Sequence, residues 1–149
     1  MHTTYDLLRQ QPFLAGMTDW QLERLARHAR RAVLPTGTTI CRTGDRADRL
    51  WLVVTGEIAL HETTADGAAV TVETLGPGTV VGWSSMVPPY RSRLDATAQA
   101  YTLSVEFDGA ALREMCERDP MLGYVVMRAL LVVLADRIDT TRGKLSTAA

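Results

Sequence analysis

From Leu34 to Val105 short apolar runs alternate with polar turns, whereas from Met121 to Ala135 the chain is apolar with Arg128 as its one charge. The first pattern has the period of strands and the second that of a buried helix. Thr38 to Cys41, Arg49 to Thr55, Ile58 to His61, Val70 to Thr74, Thr79 to Val81 and Ala96 to Val105 read as strands. Thr43-Gly44-Asp45, Thr55-Gly56-Glu57, Ala65-Asp66-Gly67 and Gly76-Pro77-Gly78 separate several of them and carry the residue types that turns require. Many short strands with regular turns predict a sandwich or barrel.

Helices flank the strands. Thr18 or Asp19 can cap a helix running to about Arg31, with Leu22, Leu25, Ala26 and Ala29 on one stripe. Its other face carries Arg24, Arg27, His28, Arg30 and Arg31. A contact with phosphate or an acidic partner fits that face, and so does plain solvation, since Glu23 precedes Arg27 by one helical turn. Asp108 caps a short helix through about Arg118, and Asp119-Pro120 opens the last one, with proline where a missing donor costs nothing. In that last helix Leu122, Val125, Val126, Met127, Leu130, Leu131, Val133 and Leu134 cover more than one face, so it needs two packing surfaces. The barrel supplies one. The other comes from the same helix of a second copy, which predicts a homodimer through Leu122 to Ile138, or from the N-terminal helices of the same chain.

The 149 residues predict a single domain, 1–149, and a formal charge of -1 with 46% hydrophobic residues gives no global drive toward nucleic acid or membrane. The apolar run is too short to span a bilayer and holds Arg128 near its middle. The first residues lack a basic segment followed by an apolar one, and the two cysteines, Cys41 and Cys116, are far apart, so a cytoplasmic protein with buried thiols is expected. Catalysis finds little support. Gly82-Trp83-Ser84-Ser85-Met86 lacks the closing glycine of a nucleophile elbow, and His2, His28 and His61 are too scattered for a metal site, so neither enzymatic activity nor a cofactor is expected.

An ordered set of segments then carries a resemblance. Pro12-Phe13-Leu14-Ala15-Gly16-Met17, Pro35-Thr36-Gly37 with Ile40, Gly44-Asp45, Leu50-Trp51-Leu52-Val53-Val54-Thr55-Gly56-Glu57-Ile58, Leu75-Gly76-Pro77-Gly78-Thr79-Val80-Val81-Gly82 and Ala96-Thr97-Ala98-Gln99-Ala100 follow one another along nearly the whole chain. Together they resemble the cyclic nucleotide-binding domain family, the sensor half of catabolite-activator-type regulators. The resemblance implies an α+β, mainly β, architecture: a jelly-roll β-roll (double-stranded β-helix) with an N-terminal helix and C-terminal helices. It also implies that a loop and helical turn after Gly82 hold a cyclic phosphate.

In the family an arginine binds the phosphate, and a glutamate directly after the glycine accepts a ribose hydroxyl proton. Here the glutamate position holds Trp83, which accepts no such proton and can either stack on a purine or plug the pocket. Counting back from Ala96-Thr97-Ala98 puts the arginine position on Leu94 and a small hydroxyl residue on Asp95, which would repel a phosphate if it faced the pocket. Counting forward from Gly82 puts the arginine near Arg93, and Arg91-Ser92 imitates the expected pair. The expected ligand-binding set is therefore Gly82, Trp83, Ser84, Ser85, Arg91, Ser92, Arg93, Ala96 and Thr97. The expected function is sensing of cyclic AMP, cyclic GMP or a related small anion, with no direct contact to nucleic acid or membrane, no DNA-binding domain and an effector protein the sequence does not name. The alternative is a degenerate member of the fold that binds nothing small and serves as a protein-interaction scaffold; a jelly-roll enzyme is a third, weaker option.

Overall fold

The computed structural model describes residues 2–148. Two short helices open the chain. Helix α1 (Thr4–Arg9), absent from the sequence expectations, starts at a capping box in which the Thr3 hydroxyl accepts from the Asp6 N–H and the Asp6 carboxylate from the Thr3 N–H. Thr18 and Gln21 repeat the device at α2 (Asp19–Ala26). The expected helix to Arg31 is thus five residues too long. Strand β1 (Ala29–Leu34) begins instead and pairs along its whole length with the last strand of the roll. The cationic helix face dissolves with it: Arg24 pairs with Asp119 and lies over the Trp20 ring, while Arg30 pairs with Glu106.

The remaining strands are β2 (Thr39–Cys41), β3 (Arg49–Thr55), β4 (Ile58–Thr63), β5 (Ala69–Leu75), β6 (Val80–Val81), β7 (Asp95–Ala98) and β8 (Thr102–Asp108). They form two antiparallel four-stranded sheets, ordered β1-β8-β3-β6 and β2-β7-β4-β5. The run Ala96 to Val105, expected as one strand, is two. Residues 99–101 carry the chain from one sheet to the other, and β8 there passes so close to Gly56 that a Cβ on it would meet the Thr102 backbone. Asp108 caps α3 (Gly109–Arg118) through the Ala111 N–H, and α4 (Pro120–Ala148) follows directly.

Strands β8, β3 and β6 of the first sheet are buried on both faces, whereas the edge strand β1 is largely exposed. Leu50 and Leu52 on β3, with Val105 and Phe107 on β8, pack against α1 to α4, whereas Trp51 and Val53 point into the roll with Ile58, Leu60, Val81 and Ala96. That is why β3 reads as an unbroken apolar run. Within the roll Glu106 is nearly fully buried and satisfied: the Trp51 Nε1–H donates to it at 3.0 Å, and Arg30 and Arg49 pair with its other oxygen. Helix α4 lays Leu122, Val126, Ala129, Leu130 and Val133 on the first core and leaves Met121, Tyr124, Leu131, Val132, Ile138 and Leu145 exposed.

The outer face of the second sheet carries a polar cluster. Asp95 accepts from the Thr43 N–H at 2.6 Å and lies 3.7 Å from His61 Nδ1, and the Thr97 hydroxyl contacts both His61 Nε2 (3.0 Å) and the Thr39 hydroxyl (3.2 Å). The Thr43 N–H, ahead of smaller contributions from His61 and Thr63, holds the Asp95 carboxyl below its ordinary pKa. A lowered folded-state pKa stabilises the protein above the unfolded value, and that stability is lost as pH falls through the lowered one. Asp95→Asn is therefore expected to cost about 1 kcal/mol at neutral pH. The difference from wild type should shrink to nothing toward pH ~2, as followed by denaturant unfolding at both ends; a pH-independent difference would refute the assignment. At the opposite rim Gly82 has φ +90°, and a Cβ there would collide with the Arg49 carbonyl oxygen and come within 3.2 Å of the Trp51 ring. Gly82→Ala should cost on the order of 3 kcal/mol, a fall in Tm of roughly 6–12 °C by calorimetric scanning.

Candidate functional site

The left-handed Gly82 ends β6 and turns the chain into a short 3₁₀ helix, Trp83–Met86, closed by the Ser85 N–H on the Gly82 carbonyl at 3.0 Å. The returning loop is laced to the segment before β3. The Ala47 N–H donates to the Tyr90 carbonyl and the Gly44 N–H to the Ser92 carbonyl, both at 2.8 Å, and the Ser92 N–H to the Asp45 carbonyl at 2.9 Å. Loop and roll enclose a cavity of about 180 Å³ walled by Gly82, Trp83, Ser84, Ser92, Arg93 and Leu94, with Cys41, Leu60, Val81 and Arg137.

Arg93 organises this wall. Its guanidinium lies 4.6 Å from the Trp83 ring centroid and donates to the Ser84 hydroxyl at 2.8 Å. A cation stacked on an indole keeps its charge while its apolar surface is covered, so remaining N–H donors can still meet an anion. Both loop arginines are exposed, but Arg91 lies outside the cavity lining: it bridges to Arg46 in the backbone pairing and reaches the Gly44 carbonyl at 3.4 Å. Leu94, one of the two counted arginine positions, is on the wall as an apolar group. Asp95 belongs to the outer cluster with His61, so it does not oppose an anion in the cavity. Among the described residues none of the lining side chains is a carboxylate.

The structure brings together Gly82, Trp83, Ser84, Ser92 and Arg93 from the expected set and separates the others. Ser85 is wholly buried behind the wall against Gly109, its carbonyl held by Arg113, and its hydroxyl lacks a partner within the described residues. Ala96 lies in the inner core, and Thr97 points to the outer face of the sheet. The expected set lacks Cys41, Leu60, Val81 and Arg137. Cys41, whose thiol burial pushes its pKa up, is positioned by β2 and approaches the Leu94 carbonyl at 3.8 Å. Arg137 arrives from α4, more than forty residues beyond the loop, and the only signal for it in the sequence is an arginine on the helix just after the apolar run. Among the described residues no group of three or more His, Cys, Asp or Glu is placed to hold a metal ion, and among the same residues no helix is long and apolar enough to cross a membrane.

The arrangement suits a small anion: two guanidiniums, two hydroxyls and an aromatic face in an otherwise apolar recess. Comparison with known proteins agrees with the fold that carries it. A solved structure from Geobacter metallireducens GS-15, described as a cyclic nucleotide-binding protein, superposes with a TM-score of 0.82 at 32% identity, over 93% of this chain and 99% of that one. The CRP-like cAMP-activated global transcriptional regulator of Mycobacterium tuberculosis is 23% identical over 95% of this chain, which spans 61% of that regulator's length. Glutaminase 1 of Bradyrhizobium diazoefficiens is 30% identical over 96% of this chain but only 22% of its own. The cyclic nucleotide-binding domain model matches residues 31–119, from β1 to the end of α3. The chain belongs to the cyclic nucleotide-binding domain family.

Proposed function

We propose that the protein is a regulatory, non-catalytic module that binds a cyclic nucleotide or a related small anion in the Gly82–Arg93 cavity, in a mode that does without a carboxylate grip on the sugar. The observation that carries this reading is Arg93, stacked on Trp83 at the cavity wall, itself open to solvent and with no carboxylate beside it on the wall. Trp83 then offers a flat face to a base, and Ser84 and Ser92 offer hydroxyls. The family and the cAMP-activated relative support the ligand class. We place the protein in the cytoplasm, acting without a further cofactor and without direct contact with nucleic acid or membrane.

The same reading includes a homodimer. On the free side of α4, Tyr124, Leu131, Ile138 and Leu145 stand seven residues apart, all exposed, with Arg128, Ala135 and Arg142 completing a three-four spacing. A seven-residue apolar repeat on a solvent-facing stripe is the seam of a coiled coil, which pairs best with its own copy. Leu130, by contrast, is spent on the chain's own core.

The scaffold alternative draws on the same stack, since Arg93 is already satisfied by Ser84 and Trp83. Calorimetry separates the two. Titration with cyclic AMP and cyclic GMP should release or absorb heat, Arg93→Ala should weaken binding roughly 10–100-fold, and Arg91→Ala should leave it unchanged. Absence of heat from both nucleotides would favour the scaffold. For assembly, Leu131→Glu should convert a dimer to a monomer in light scattering while the far-UV circular dichroism stays that of the folded chain, and an unchanged mass would remove the α4 seam from the proposal.

A further inference from the structure

Beyond Leu134, among the described residues, Arg137 alone hydrogen-bonds from the last helix to the rest of the chain. From Ala135 to Thr147 every residue except Arg137 is exposed. Arg137 reaches across to β5, where its Nη2 and Nε donate to the two carboxylate oxygens of Glu73 at 3.0 and 3.3 Å, and its Nη1 donates to the Val80 carbonyl at 3.4 Å. Both side chains are only 15% exposed, so this two-pronged pair is shielded from the solvent and salt that dissolve most surface pairs. The same guanidinium lines the cavity that holds Arg93, whereas Glu73 stands outside the cavity wall.

One cation therefore faces two places where negative charge can sit. In the structure Glu73 has it. An anion drawn in by Arg93 comes within the reach of the same fork, and a planar guanidinium with five donors can be shared or surrendered but not duplicated. We propose that Arg137 is a second anion-binding group of this cavity and that Glu73 is its built-in competitor, so that ligand affinity and the seating of the distal half of α4 are set by one contest. This rests on the ligand-sensing reading given above and adds to it how occupancy is read out. The linkage is reciprocal: whatever favours the Glu73–Arg137 pair weakens the anion, and the anion weakens that pair to the same degree.

A double-mutant cycle with glutamine, which keeps length and polarity at both sites, tests it. Binding of cyclic AMP, and of inorganic phosphate as the anion alone, is measured on wild type, Glu73→Gln, Arg137→Gln and the double variant. The latch requires opposite signs: Glu73→Gln about fivefold tighter, Arg137→Gln at least about tenfold weaker, and the double variant equal to Arg137→Gln because a competitor matters only while its prize is present. A purely structural pair would weaken both or change neither. If wild type binds but Glu73→Gln is no tighter, or tightens equally without Arg137, the latch is overturned and ligand sensing stands. If none of the four proteins binds either probe, ligand sensing falls and the latch falls with it.

Discussion

Trp51 and Leu52 are neighbours in the chain and belong to different hydrophobic cores. Strands β8, β3 and β6 form the partition between them, and their burial on both faces is the constraint from which the other features follow. Every polar group on such a partition must be answered within the protein. Glu106 is the severest case, and the Trp51 indole with Arg30 and Arg49 answers it. Those partners also fix the register of β3 and β1 on β8, because a slip of one residue would turn Glu106 into the helix-facing core. The Arg49 carbonyl oxygen, with the Trp51 ring close beside it, leaves no room for a Cβ at position 82, which makes it a glycine and starts the cavity loop where it does.

Where the chemistry was local, the sequence could be read closely. The limits of β3 and the capping of α3 by Asp108 emerge as expected, since a continuous apolar run and a side-chain cap are decided by nearby residues. Where two readings shared one pattern, a distant partner decided. Ala29 and Ala32 continue the helical stripe of α2 as well as they start a strand, and β8 claims them for the sheet. Ala96 to Val105 alternates without interruption, yet residues 99–101 change sheets, which no alternation can reveal.

The site divides the same way. Position along the chain placed Gly82, Trp83 and Ser84 correctly at the loop, but it could not give direction. Thr97 occupies its expected place in the strand, which begins one residue early at Asp95, and both point out of the roll because alternation on β7 reserves the inside for Ala96 and Ala98. The choice between Arg91 and Arg93 depends on which residue the loop hands to the segment before β3, where the Ser92 and Tyr90 backbone bonds turn Arg91 outward. Arg137 was beyond reach of motif reasoning, because nothing in its surroundings distinguishes it from a solvated helix arginine. Only the placement of α4 beside β5 does so.

The three tryptophans occupy three different surroundings. Trp20 stands largely in water beneath Arg24, Trp51 is sealed in the inner core on a carboxylate, and Trp83 forms part of the cavity wall beneath a guanidinium. An indole in water emits at longer wavelength than one in an apolar core, and a stacked cation or an incoming aromatic ring changes its yield. With Trp20 replaced by phenylalanine, the intrinsic fluorescence of the chain would consist of a constant buried emitter and a variable one at the cavity wall. The molecule thus contains its own optical gauge, with its reference channel built in.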